Sequence, residues 1–107
     1  MLLRLLHGLA AAALLAAVAL AQTIHVPNRV LHEGESIDIG FSDPNRANSF
    51  VIVRVDNGDA SDPDFDYVEI WLDGSGRGRR SYTIPVGWWV AQFNGGQAKQ
   101  VTRAVAP

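Results

Sequence analysis

The stretch Phe65-Asp66-Tyr67-Val68-Glu69-Ile70-Trp71-Leu72-Asp73-Gly74-Ser75-Gly76-Arg77-Gly78-Arg79-Arg80-Ser81-Tyr82-Thr83-Ile84 decides the fold class. Side chains of an extended chain point alternately to opposite faces. Val68, Ile70 and Leu72 therefore share one face of a strand, and Tyr67, Glu69 and Trp71 share the other. Asp73-Gly74-Ser75-Gly76 carries the small, turn-forming residues of a hairpin connection. A second extended run, Arg79–Ile84, follows and stops at Pro85.

The same pattern recurs on both sides. Ser36–Phe41 alternates cleanly, with Ile37, Ile39 and Phe41 facing inward. Phe50–Val55 is apolar on both faces, which predicts a central strand or a covered outer face. Ile24–Val30 holds Pro27, which cannot donate to a ladder, so it reads as an edge strand. Gly87–Phe93 and Lys99–Val105 complete the set around the turn Asn94-Gly95-Gly96. Nine glycines and five prolines after residue 21 break every window of helical length. About seven short strands with connections of hairpin or modest length predict a single all-β domain over residues 22–107. Its expected form is an antiparallel, immunoglobulin-like β-sandwich. A five- or six-stranded barrel is the alternative.

Residues 1–21 read differently. Eighteen of them are apolar. Arg4 precedes a Leu/Ala run that ends Ala19-Leu20-Ala21, the small-x-small pattern of a signal-peptidase site. The apolar run is short for a bilayer span, which needs ~20 residues. The expectation is a signal peptide over 1–21, cleavage before Gln22, and a secreted or periplasmic product. Residues 22–107 carry eight basic and eleven acidic groups, a net charge of −3. With no cysteine in the chain, neither a disulfide framework nor a cysteine-bound zinc is available.

Two segments carry a resemblance. Asp73-Gly74-Ser75-Gly76 followed by Arg80-Ser81-Tyr82-Thr83-Ile84-Pro85 resembles the turn and strand of bacterial extracellular immunoglobulin-like domains. Gly34-Glu35-Ser36-Ile37 resembles the start of their second strand. The resemblance runs over about residues 24–105 as a pattern of strands and turns, and the Cys…Trp…Cys core of antibody domains is absent. It implies a spacer, adhesion or interaction module and no catalytic residue.

Catalysis has little raw material in residues 22–107. The two histidines, His25 and His32, lie seven residues apart with no zinc-type spacing, and there is no Gly-x-Ser-x-Gly nucleophile elbow. No enzyme activity and no cofactor are expected. The run Asp62-Pro63-Asp64-Phe65-Asp66 places carboxylates at alternate positions. Asp62, Asp64 and Asp66 are therefore a calcium candidate, with a solvated acidic loop as the competing reading. Segment 55–76 holds seven acids and no base, and segment 77–107 holds five bases and no acid. Arg77, Arg79 and Arg80 thus form a candidate basic contact at the pole opposite the acidic loop. Tyr67, Trp71 and Trp88 are the candidate contact aromatics, with one of Trp88 and Trp89 expected in the core. The leading reading is protein contact, adhesion or self-association, followed by carbohydrate binding on the aromatics and, third, a small metal-dependent hydrolase. Nucleic acid is not an expected partner, given the negative net charge. Nor is a membrane once the leader is removed.

Overall fold

The computed structural model describes residues 22–103. The signal peptide expected over residues 1–21 and the end of the last expected strand, at Val105, fall outside them. Eight strands form two sheets. The first sheet has three strands: β1 (Thr23–His25), β3 (Ser36–Ser42) and β6 (Arg77–Thr83), with β3 in the centre. The second has five, in the order β2 (Leu31–His32), β8 (Gln97–Thr102), β7 (Val90–Phe93), β4 (Phe50–Asp56) and β5 (Phe65–Trp71). Every pairing is antiparallel except that of β2 with β8. Among the described residues there is no α-helix.

Alternation places the core as expected. Ile37, Ile39 and Phe41 of β3 are buried, as are Val51, Val53 and Val55 of β4, and Val68 and Ile70 of β5 with Leu72 beyond it. Leu31, Ile84, Trp88, Ala91, Phe93 and Val101 join them in one cluster between the sheets. Each large aliphatic side chain removed from water contributes about 1.5–3 kcal/mol, so this layer, with no disulfide, holds the fold.

Three expectations are corrected. Of the first run, Ile24–Val30, only Ile24 and His25 are strand, in the edge strand β1, and a further short strand, β2, follows the run at Leu31–His32, which raises the count from about seven to eight. β1 pairs with β3 in one sheet, and β2 pairs with β8 in the other. Pro27 lies between them, where a missing N–H costs no ladder bond. The stretch His32-Glu33-Gly34-Glu35 reads in the sequence as a turn, but His32 belongs to β2, so the turn is narrower. Lastly, Asp73–Gly76 is not an in-sheet hairpin. β5 pairs with β4, whereas β6 pairs with β3 through seven residues, so the turn carries the chain from one sheet to the other. It is tight: Gly76 N–H donates to Asp73 O and Asp73 N–H to Arg77 O. Gly76 has φ +79°, and a Cβ there would fall 2.1 Å from the Asp43 carbonyl oxygen. That oxygen belongs to the cap of a 3₁₀ turn over Pro44–Arg46, so the two turns are locked together.

β5 and β6 run past each other where the sheets meet. Arg80 Nη1 donates to Glu69 O at 3.0 Å, and the Tyr82 hydroxyl donates to the Asp66 carboxylate. Gly78 passes so close to Trp71 that a Cβ would lie 2.1 Å from its carbonyl oxygen. Backbone contact and two side-chain bonds thus close this side of the molecule.

Candidate interaction surface

The outer face of β4 and β5 carries four of the seven exposed large hydrophobic side chains among the described residues. Direct cross-strand partners share a face, and the register sets Phe50 opposite Trp71, Ile52 opposite Glu69 and Arg54 opposite Tyr67. Inward-facing valines alternate with these residues, so burying the valines forces the others outward. Trp71 is 65% exposed, Tyr67 64%, Phe50 47% and Ile52 45%. The Phe50 and Trp71 rings lie 5.2 Å apart, and Phe65 meets Tyr67 edge-on at 5.1 Å. Tyr67 and Trp71 stand where the sequence placed them. Phe50 and Ile52, on the same face, were not among the expected contact residues. Their signal was the two-sided apolar character of Phe50–Val55, which predicted a central strand or a covered outer face; β4 lies between β7 and β5, and its outer face is exposed.

Arg54 borders this surface and organises the loop beside it. Its guanidinium lies 4.2 Å over the Phe65 ring, Nη2 donates to Ala60 O, and Nε approaches Asp56 at 3.3 Å. The last contact is an ion pair without hydrogen-bond alignment, so Coulomb attraction to the buried Asp56 carboxylate carries it.

The acidic loop is a run of side-chain-capped turns. Asp56, Asn57, Asp59 and Asp62 each accept, through a side-chain oxygen, from the backbone N–H two residues on. Asp and Asn favour turns by this mechanism. The hydrogen bonds hold the carboxyls of Asp59 and Asp62 below the usual range: the Ser61 hydroxyl and N–H act on Asp59, and the Asp64 N–H followed by the Asn57 amide on Asp62. The calcium candidates are divided among different donors. Asp62 takes Asn57 and the Asp64 N–H, Asp64 takes the Trp88 indole N–H at 2.9 Å, and Asp66 takes Tyr82. Among the described residues no three His, Asp or Glu groups are gathered as metal ligands.

The structure does not keep Arg77, Arg79 and Arg80 as one cluster. Arg77 and Arg79 share the outer face of the three-stranded sheet, and Arg80 turns the other way toward β5. Arg77 lies beside the Asp73 turn, at the opposite end of β5 from the acidic loop, as expected; Arg79 and Arg80 lie along the strand. Trp88 is a correction. It is 5% exposed and belongs to the core, whereas Trp89 is 60% exposed under Arg103, whose guanidinium lies 4.8 Å from its ring. The two tryptophans precede β7, where the chain is irregular, so strand alternation could not assign them. His25 and His32 sit in different sheets, bonded to Thr23 and Thr102 respectively, and do not meet.

No protein-family model, curated protein or solved structure matches this chain.

Proposed function

We propose that this chain is an exported, non-catalytic immunoglobulin-like β-sandwich module that docks a protein partner on the outer face of β4 and β5. The observation that carries this reading is the continuous exposed surface of Phe50, Ile52, Tyr67 and Trp71. Trp and Tyr are typical anchor residues of protein interfaces, and Arg54 gives the surface a polar border of the kind usual there, with Glu69 as one charge within it. The strand order supports the fold reading. β1, β3 and β6 correspond to strands A, B and E of an immunoglobulin domain, and β4, β7 and β8 to C, F and G. β5 takes the place of the added strand C′, and β1 with β2 form one first strand divided between the sheets. Counted so, the strands number seven. The leader-like residues 1–21 support export.

Carbohydrate binding is the second reading, favoured by Tyr67 and Trp71 standing on one strand face with Glu69 between them. Protein contact accounts for more of the surface, because Phe50 and Ile52 offer no hydrogen bond to a sugar hydroxyl. The test is the native mass of the protein recovered from the medium or periplasm of its producing cells. The wild type is expected in a complex heavier than the monomer. Phe50→Ala with Trp71→Ala is expected as a monomer with an unchanged unfolding midpoint. A wild-type monomer whose tryptophan emission responds to a polysaccharide would replace protein contact with the second reading.

A further inference from the structure

The other sheet presents a surface of different chemistry. On its outer face, β1, β3 and β6 align two rows of three residues. One row is His25, Gly40, Arg79; the next is Thr23, Ser42, Arg77. The middle position of the first row has no side chain, so Gly40 is the floor of a notch with His25 on one wall and Arg79 on the other. The walls stand on backbones about 10 Å apart, two strand spacings. The depression has a volume of about 510 Å³, and its lining includes His25, Gly40, Ser42, Arg77, Arg79 and one carboxylate, Asp73. The Ser42 and Thr23 hydroxyls are 2.6 Å apart, and Thr23 Oγ1 is 3.1 Å from His25 Nε2, so the polar wall is held in place.

Arg79 faces no carboxylate partner among the described residues, whereas the Arg77 guanidinium acts by Coulomb attraction on the Asp73 carboxylate without a hydrogen bond to it. The ion pairs among the described residues belong to Arg29, Arg46 and Arg54, and no side-chain hydrogen bond uses the guanidinium of Arg77 or Arg79. Two carboxylates border the notch. Asp73 directs Oδ1 to the Ser75 N–H, the Ser75 hydroxyl and the Arg77 N–H, within its own turn. Asp38 lies on the same face, two residues along β3 and opposite Ser81. The site is therefore a local two-arginine clamp within a negatively charged protein.

We propose that this notch binds a tetrahedral oxyanion, a sulfate or phosphate group. Arg77 and Arg79 would donate to it from one side and the Ser42 hydroxyl from the other, over Gly40, with the His25 ring, held by Thr23, as a wall. Planar guanidinium groups are suited to paired donation to such oxygens. The site is independent of the β4–β5 face, on the opposite sheet.

The test is calorimetric titration of the purified chain at constant ionic strength with sodium sulfate, sodium phosphate and a sulfated disaccharide. Saturable one-to-one binding is expected, with a dissociation constant of about 1 mM or tighter. Tighter binding of the disaccharide than of inorganic sulfate identifies a polymer-borne group as the source; equal binding identifies the free ion. Arg79→Gln is expected to weaken binding at least about fivefold, the loss of one charge-assisted donor pair. Gly40→Val is expected to do the same by filling the floor without changing charge, and Asp38→Asn to strengthen binding about twofold by removing a neighbouring negative charge. Trp71→Ala on the other sheet should leave binding unchanged. Absence of saturable heat with all three probes overturns the proposal, as does equal affinity in Arg79→Gln and the wild type. Arg79 is exposed, so its variant decides the matter even if Gly40→Val does not fold.

Discussion

Gly78→Ala puts the closure between the two sheets under direct test. The added Cβ would stand 2.1 Å from the Trp71 carbonyl oxygen and 3.0 Å from the Ile70 Cγ2 methyl. Carbon and oxygen in favourable contact keep about 3.3–3.6 Å, so β6 must retreat from β5 by roughly 1 Å. Retreat stretches the Arg80 to Glu69 O bond, now 3.0 Å, and the Asp73 N–H to Arg77 O bond, now 2.8 Å. Overpacking costs about 1–3 kcal/mol, and the two hydrogen bonds contribute about 1 kcal/mol each. The sum is about 3–5 kcal/mol, a large part of the roughly 5–10 kcal/mol available to a domain of this size. The control is Gly87→Ala, where φ is +93° and no atom lies within 4 Å of the new Cβ; it bears only the left-handed backbone penalty, about 1–2 kcal/mol. The assay is urea unfolding followed by tryptophan emission, with both variants compared at equal slope. A Gly78→Ala cost no greater than that of Gly87→Ala would refute the close approach of β6 to β5.

Burial, followed by the hydrogen bond to Asp66, raises the pKa of the Tyr82 phenol. Its contribution is present below the ordinary tyrosine value, about 10, and is lost as pH rises above it, because the folded state holds the proton longer than the unfolded chain. Tyr82→Phe should flatten the alkaline limb of the unfolding midpoint against pH. Glu35 behaves oppositely: the hydrogen bonds from Arg29 and the His32 N–H hold its carboxyl at about 2. Its contribution exists above the ordinary glutamate value of 4.5 and is lost as pH falls toward about 2, so Glu35→Gln should flatten the acid limb in the same measurement. Asp64→Ala leaves the indole N–H of buried Trp88 without its acceptor and should cost about 1–3 kcal/mol in urea. Because Asp62, Asp64 and Asp66 each already serve a different donor, millimolar calcium should leave the thermal midpoint unchanged. An upward shift would return the loop to the role of a cation site.

The core was readable because one face of each strand is buried, and period-two alternation in Ser36–Phe41 and Phe65–Leu72 records that directly. Connectivity was less so. The turn residues Asp73–Gly76 specify a tight reversal, but whether the following strand pairs with its predecessor or crosses to the other sheet depends on contacts distant in sequence. The clearest of these, the approach of Gly78 to Trp71 and of Gly76 to Asp43, are marked in the sequence only as two glycines. Pro27 marked an edge strand, and β1 is one, but nothing in Ile24–Val30 showed that the strand ends at His25 or that Leu31–His32 beyond it joins the other sheet. For the candidate surface, Tyr67 and Trp71 followed from strand alternation. Trp88 and Trp89 did not, because they lie outside a regular strand. The His25–Gly40–Arg79 row could not be read at all: its members come from three strands, and only the register brings them side by side.

The most direct test of the proposed docking face is site-specific photo-crosslinking of the protein in its producing cells. A photoreactive aromatic residue is placed at Tyr67 on the β4–β5 face, and in a second variant at Asp38 on the opposite sheet. The expected result is a discrete covalent adduct to a protein from Tyr67 and none of that mass from Asp38. Equal labelling from both positions, or none from Tyr67, would contradict protein docking on the β4–β5 face.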